Sequence, residues 1–165
     1  MRGRHNHTRS TRPNGFIALI DRRNRQQIPV VLTKRDGELT WGFPGGEGDS
    51  KDNDVKGTAL RELYEETGIK LRPCEAKHVF PVETGRHHTI FACYYIGEHC
   101  RHERMRRFHG RRDKTGEVHD YGYVQFGEHH PVVTTYDGTP KPCQLIDHRV
   151  LRQLAKLFHV AVSRG

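Results

Sequence analysis

The chain has 165 residues, a formal charge of +8, 33% hydrophobic residues and 29% charged residues, which suits one compact domain with a polar surface. No apolar run approaches the roughly 20 residues of a membrane-spanning helix, and no signal-peptide core is visible, so the sequence reads as a soluble, cytoplasmic protein with no membrane partner. Cys74, Cys93, Cys100 and Cys143 form no Cys-x-x-Cys pair and are expected to be reduced thiols.

The basicity is local. Residues 1–13 carry four arginines and no acid, and residues 101–114 carry six arginines and one lysine against Glu103 and Asp113. These two stretches hold a net +9 between them, which leaves −1 for everything else. A local positive field concentrates anionic ligands. Residues 1–14 lack apolar periodicity and read as a flexible basic arm, followed by one domain over 15–165. The arm is either an electrostatic tether to a polyanion such as RNA or a solvated tail.

Gly15–Ile20 is a short apolar run that predicts a strand, with a turn at Asp21–Asn24. Pro29–Thr33 is a second strand rich in β-branched residues, closed by the Arg35-Asp36-Gly37 turn. Trp41-Gly42-Phe43-Pro44-Gly45-Gly46 is too rich in glycine and proline for regular structure and lets backbone come close to a ligand.

The next stretch carries chemistry. At about 100° per residue, Glu62, Glu65 and Glu66 fall on one narrow face of a helix, while Leu60, Leu63 and Tyr64 point the other way with Ala59 at the edge. Carboxylates at this spacing repel one another, and a hard divalent cation with oxygen ligands removes the conflict. Arg61 can pair with one carboxylate and hold its rotamer. Asp52, Asn53 or Asp54 supplies an N-cap, and Gly68 sits where a helix ends in a left-handed residue.

Beyond the helix, Ala76–Glu83 and His88–Ile96 predict paired strands turning at Thr84-Gly85-Arg86. Val118–Phe126 predicts another strand, Asp137-Gly138-Thr139-Pro140 a turn, and Ile146, Val150, Leu151, Leu154, Leu157, Phe158 and Ala161 a closing helix. The basic insertion at about 97–116 is long for a connection between strands. Its Arg106, Arg107, Arg111 and Arg112 are candidates to grip phosphates; the alternative is a solvated insertion. Cys93, His99, Cys100, His102 and His109 could be assembled into a zinc site, but their spacing matches no standard knuckle.

The stretch Arg61–Ile69, with the preceding WGFPGG, resembles the Nudix box, GX5EX7REUXEEXGU with U aliphatic, of the Nudix hydrolases. Its REUXEEXGU half matches at every fixed position. The first half departs from the pattern: counting back from Arg61 puts Asn53 at the first glutamate, and counting forward from Gly46 puts Asp52 there. The resemblance implies an α/β fold, a Nudix-type α/β/α sandwich with a mixed β-sheet, opened by a hairpin of the first two strands.

It also implies Mg²⁺-dependent hydrolysis, with Mn²⁺ as a substitute, of the diphosphate in a nucleoside diphosphate linked to another moiety. Substrates would be a nucleoside triphosphate, ADP-ribose, a dinucleotide or a nucleotide sugar. The metal set would be Glu62, Glu65 and Glu66 with the Gly46 carbonyl, Glu62 serving as ligand or general base and Arg61 orienting it. Glu117 is the candidate for a further acid from a late loop, with Glu103 and Asp120 behind it. Phe16, Trp41, Tyr121 and Tyr123 could stack a base, with Trp41 and Tyr123 joining the four arginines as the substrate-binding set. Two other readings are an RNA 5′-end pyrophosphohydrolase and a non-catalytic Nudix-like binder. The sequence does not fix the oligomeric state.

Overall fold

The computed structural model describes residues 12–21, 27–35, 37–95, 118–124, 132–135, 140–142 and 148–157. The strands are β1 (Asn14–Asp21), β2 (Ile28–Arg35), β3 (Glu38–Gly42), β4 (Gly45–Gly46), β5 (Phe80–Thr84), β6 (His88–Tyr95), β7 (Val118–Val124), β8 (Val132–Thr135) and β9 (Pro140–Pro142). The helices are α1 (Val55–Thr67), the single turn α2 (Pro73–Ala76) and α3 (His148–Leu157).

Hydrogen bonding among the described residues divides the strand layer into two sheets, ordered β4-β1-β6-β5 and β3-β2-β7-β8-β9. The β1–β6 pair is parallel and the other pairs are antiparallel. β1 shows why the layer is covered on both faces. Its side chains alternate, so Ile17 and Leu19 enter one core with Ala59 and Leu63 of α1. Ala18 and Ile20 enter the other, with Val150 and Leu154 of α3. A strand buried on both faces reads as an unbroken apolar run, which is what residues 15–20 are. Each core draws on both sheets: Val31 and Tyr121 join the first, Val30 and Val124 the second. The result is the expected α/β/α sandwich, in which each fully buried aliphatic side chain contributes about 1.5–3 kcal/mol.

Several expectations are corrected. β1 and β2 do not form a hairpin, because β1 runs beside β6 while β2 pairs with β3 and β7. As expected, β2 is followed directly by a reversal: Arg35 pairs with Glu38 of β3, and Gly37 has φ 84°. The glycine-proline stretch is partly regular: Trp41-Gly42 ends β3, and Gly45-Gly46 pairs with Phe16 and Gly15. Of the expected strand Ala76–Glu83, Ala76 instead ends the helical turn α2, and the strand begins at Phe80. The β5–β6 pair forms as expected.

Asn14 opens β1, and Arg12 already donates from Nη1 to the carbonyls of Asp49 at 2.5 Å and Asp52 at 3.1 Å. The arm before residue 12 and the insertion at 97–116 lie outside the described residues. No helix among the described residues is long and apolar enough to cross a membrane.

Candidate active site

The site is built where α1 meets the glycine bridge. Asp54 caps α1, its side chain accepting from the Gly57 amide at 2.7 Å, and Gly68 ends the helix at φ 74° with its amide donating to the Tyr64 carbonyl. Thr67 is buried and secures that exit: its hydroxyl donates to the Leu63 carbonyl at 2.6 Å and accepts from the Ile69 amide at 3.1 Å. Gly15 lets the helix lie on β1 at backbone distance. A Cβ there would sit 2.5 Å from the Val55 carbonyl oxygen and 2.9 Å from the Ala59 nitrogen.

Against this helix lies β4, held to β1 by the Gly15–Gly46 and Phe16–Gly45 pairs and by the Ile17 amide donating to the Pro44 carbonyl at 2.9 Å. The Gly45 amide donates to Glu66 Oε1 at 2.9 Å. A Cβ on Gly46 would lie 2.9 Å from the Glu62 carboxyl carbon. The glycines therefore bring main chain against two carboxylates where any side chain would intrude.

The three glutamates are not equivalent. Glu66 is 3% exposed, whereas Glu62 and Glu65 are partly exposed. This corrects the expectation that all three carboxylates lie opposite the buried stripe of the helix, since Glu66 belongs to that stripe. The buried stripe of α1 comprises Thr58, Ala59, Leu63, Glu66 and Thr67; Tyr64 is 50% exposed and lies outside it. Helix α1 is rotated so that Glu66 faces the strand layer and the Tyr64 ring faces water.

Arg61 does more than pair with one acid. Nη1 bonds Glu62 Oε1 and Glu65 Oε2, both at 3.1 Å, while Nε and Nη2 take Asp52 at 2.9 and 3.0 Å, and Nη2 also reaches the Glu47 carbonyl at 2.9 Å. Asp52 thus fills the position that the sequence left open between Asp52 and Asn53. It also accepts from the Thr58 hydroxyl at 2.8 Å and the Asp49 amide at 2.9 Å.

The Arg61 guanidinium, with these further donors, holds the Asp52 carboxyl down at about 2, against an ordinary 3.8. The acids around it, Asp52 first, raise Arg61 in turn. A carboxyl whose folded pKa is depressed contributes stability that is fully present above its unfolded value and lost as pH falls through the folded one. The window for Asp52 is therefore about pH 4 down to 2. We predict that Asp52→Asn narrows its stability deficit against the native chain by about 1–2 kcal/mol across that window. Urea unfolding at stepped pH measures this, and a deficit that stays constant with pH would contradict it.

Other candidates are sorted by burial. Trp41 is 8% exposed and packs in the α3-side core, and Tyr121 is 1% exposed in the α1-side core. Neither ring face is open to a base, so Trp41 leaves the substrate-binding set. Tyr123 is partly buried on β7, opposite Pro29 and Thr134, and Phe16 is partly buried beside Gly45. Asp120 lies on β7 and accepts from the Tyr121 amide at 2.8 Å. Glu117, Glu103, Arg106, Arg107, Arg111 and Arg112 lie outside the described residues. So do the zinc candidates except Cys93, which is buried in the α1-side core with its thiol pushed up to about 11, chiefly by burial.

Two contacts were missing from the sequence reading: the Gly45 amide on Glu66, and the Tyr121 hydroxyl donating to the Glu66 carbonyl at 2.5 Å.

Among the described residues no group of three or more His, Cys, Asp or Glu side chains is placed to hold a metal ion; Arg61 instead bridges Glu62 and Glu65. The donor chemistry still fits a hard divalent cation: the carboxylates offer only oxygen, and the Gly46 backbone lies against Glu62 with no side chain between.

A family model, NUDIX domain, matches residues 11–148, and the chain belongs to that family. No curated protein matches. Among solved structures, a MutT/nudix family protein from Enterococcus faecalis aligns with TM-score 0.58 and 10% identity, covering 90% of this chain and 63% of that one. This chain therefore spans under two thirds of that protein. The NUDIX domain of Shewanella oneidensis NrtR, complexed with ADP ribose, aligns with TM-score 0.58 and 14% identity over 90% and 89%. A bifunctional NMN adenylyltransferase/ADP ribose pyrophosphatase from Francisella tularensis, complexed with AMP and a Mn ion, gives 0.50 and 15% over 90% and 42%.

Proposed function

We propose that the protein hydrolyses the diphosphate linkage of a nucleoside diphosphate joined to another moiety, with Mg²⁺ as cofactor and Mn²⁺ as a substitute. The observation that carries this reading is the contact of Gly45 and Gly46 with the Glu66 and Glu62 carboxylates. Glu62, Glu65 and Glu66 with the Gly46 carbonyl would hold the metal. Bound magnesium supplies neutralisation of the diphosphate and a more acidic water.

The protein's own residues prepare that chemistry. Gly45 fixes one oxygen of Glu66, which leaves the carboxylate a single orientation in a buried setting. Asp52 holds Arg61 through two nitrogens, and Arg61 in turn restrains the Glu62 carboxylate, which serves as ligand or general base. Glu117 keeps its place as the candidate late-loop acid, and Arg106, Arg107, Arg111 and Arg112 as candidates for gripping phosphates. The ADP ribose and AMP carried by two structural neighbours support a soluble nucleotide substrate such as ADP-ribose, a nucleoside triphosphate, a dinucleotide or a nucleotide sugar. The protein is then expected to work in the cytoplasm.

A panel of these compounds, with released nucleotide as readout, tests the proposal with and without Mg²⁺. Turnover of at least one compound should require the divalent ion, and Mn²⁺ should restore it. Equal rates in excess chelator, or no turnover across the panel, would refute it.

A further inference from the structure

Glu66 is held at two points by two different sheets. Its side chain accepts from Gly45 on β4, in the β1-containing sheet, and its carbonyl accepts from the Tyr121 hydroxyl on β7, in the other. The carbonyl belongs to the last turn of α1, where the helix supplies no amide of its own. Tyr121 is well placed to deliver a donor there. Its backbone is fixed opposite Val31 on β2, and its ring is enclosed in the α1-side core. A tyrosine ring so packed has few rotamers and a hydroxyl at one defined position.

We propose that Tyr121 is a positioning residue for Glu66: by clamping the main chain of that residue it fixes the origin from which the carboxylate reaches Gly45 and the metal site. This rests on the hydrolase reading above for its catalytic consequence, but not for its geometric one. The competing role is a purely structural one, in which the bond closes the helix end and leaves the carboxylate indifferent.

Tyr121→Phe in the full chain removes one hydroxyl and keeps the ring. At a temperature where both proteins are folded, the Gly45 amide should exchange its hydrogen about tenfold faster, because its acceptor is no longer held still, while amides of the distant β2–β3 pair keep their rates. On the best substrate of the panel, kcat should fall about tenfold with KM unchanged. Mn²⁺ affinity, measured by electron paramagnetic resonance without substrate, should weaken by a similar factor, the usual scale for a group that orients a ligand.

Unchanged Gly45 exchange, or a lowered melting temperature with kcat and Mn²⁺ affinity intact, would overturn the proposal. Should the native chain turn over nothing, the hydrolase reading falls and the Gly45 exchange rate alone decides this one. If Tyr121→Phe fails to fold, 3-fluorotyrosine in place of Tyr121, a stronger donor of equal shape, should slow Gly45 exchange; no change would again overturn the proposal.

Discussion

Glu66→Gln should lower kcat by at least about 10²-fold, the scale of losing one preorganised electrostatic group in a water-poor site. Glutamine keeps the shape of glutamate and an oxygen that can accept from the Gly45 amide, so the contact at 2.9 Å survives. What disappears is the negative charge. Because Glu66 is buried, that loss relieves a desolvation cost, and the melting temperature should hold or rise. The signature is a split between activity and stability, read by steady-state kinetics beside thermal unfolding. Mn²⁺ affinity should fall with kcat. Near-native turnover would remove Glu66 from the site, and an unfolded variant would mark the carboxylate as structural.

Gly15→Ala should produce the opposite pattern, a loss of stability with activity following it down. The added methyl would lie 2.5 Å from the Val55 carbonyl oxygen and 2.9 Å from the Ala59 nitrogen. Both are backbone atoms of α1, which cannot swing aside as a flexible side chain can. The helix must shift off β1, at a cost of about 1–3 kcal/mol and about 2–4 °C of melting temperature per kcal/mol for a chain of this size. The same shift carries Glu62 and Glu66 away from β4, so turnover should drop even where the variant is fully folded. Gly37→Ala is the control. Unlike Gly15, that position has a positive φ, and the space around it is open, so it should lose about 1 kcal/mol of stability with kcat unchanged. Equal catalytic losses for the two variants would show that helix placement does not set activity.

The parts of this structure that sequence made legible are those written in local chemistry. Asp54 and Gly68 bracket α1 because capping needs only neighbouring backbone. Residues 15–20 read as a strand because an apolar run buried on both faces has few other uses, and His88–Ile96 reads as one because its residues alternate. What stayed hidden depends on partners far along the chain. A triplet of glutamates looks like a solvated face until Gly45 and Tyr121 arrive from two sheets to take up Glu66. Helical periodicity put Leu63 and Tyr64 on one stripe, and only the seat on β1 decides that Leu63 is covered and Tyr64 is not. Spacing alone left Asp52 and Asn53 tied; Arg61 chooses Asp52 because a carboxylate can take its Nε and Nη2 together. The first hairpin failed for a similar reason: β1 finds a better partner in β6, beyond the reach of any local rule.

That pairing has a kinetic consequence. Asn14 and His88 stand opposite each other in the parallel ladder although 74 positions separate them along the chain. Helix α1 can begin to coil within about a microsecond of the start of refolding. Its seat does not exist until the distant ladder closes, and such long-range closure belongs to the slow, millisecond-to-second end of folding. The acidic helix therefore spends most of its folding time without the glycine bridge beside it, and catalytic competence should return with the last strand rather than with the first turn of helix.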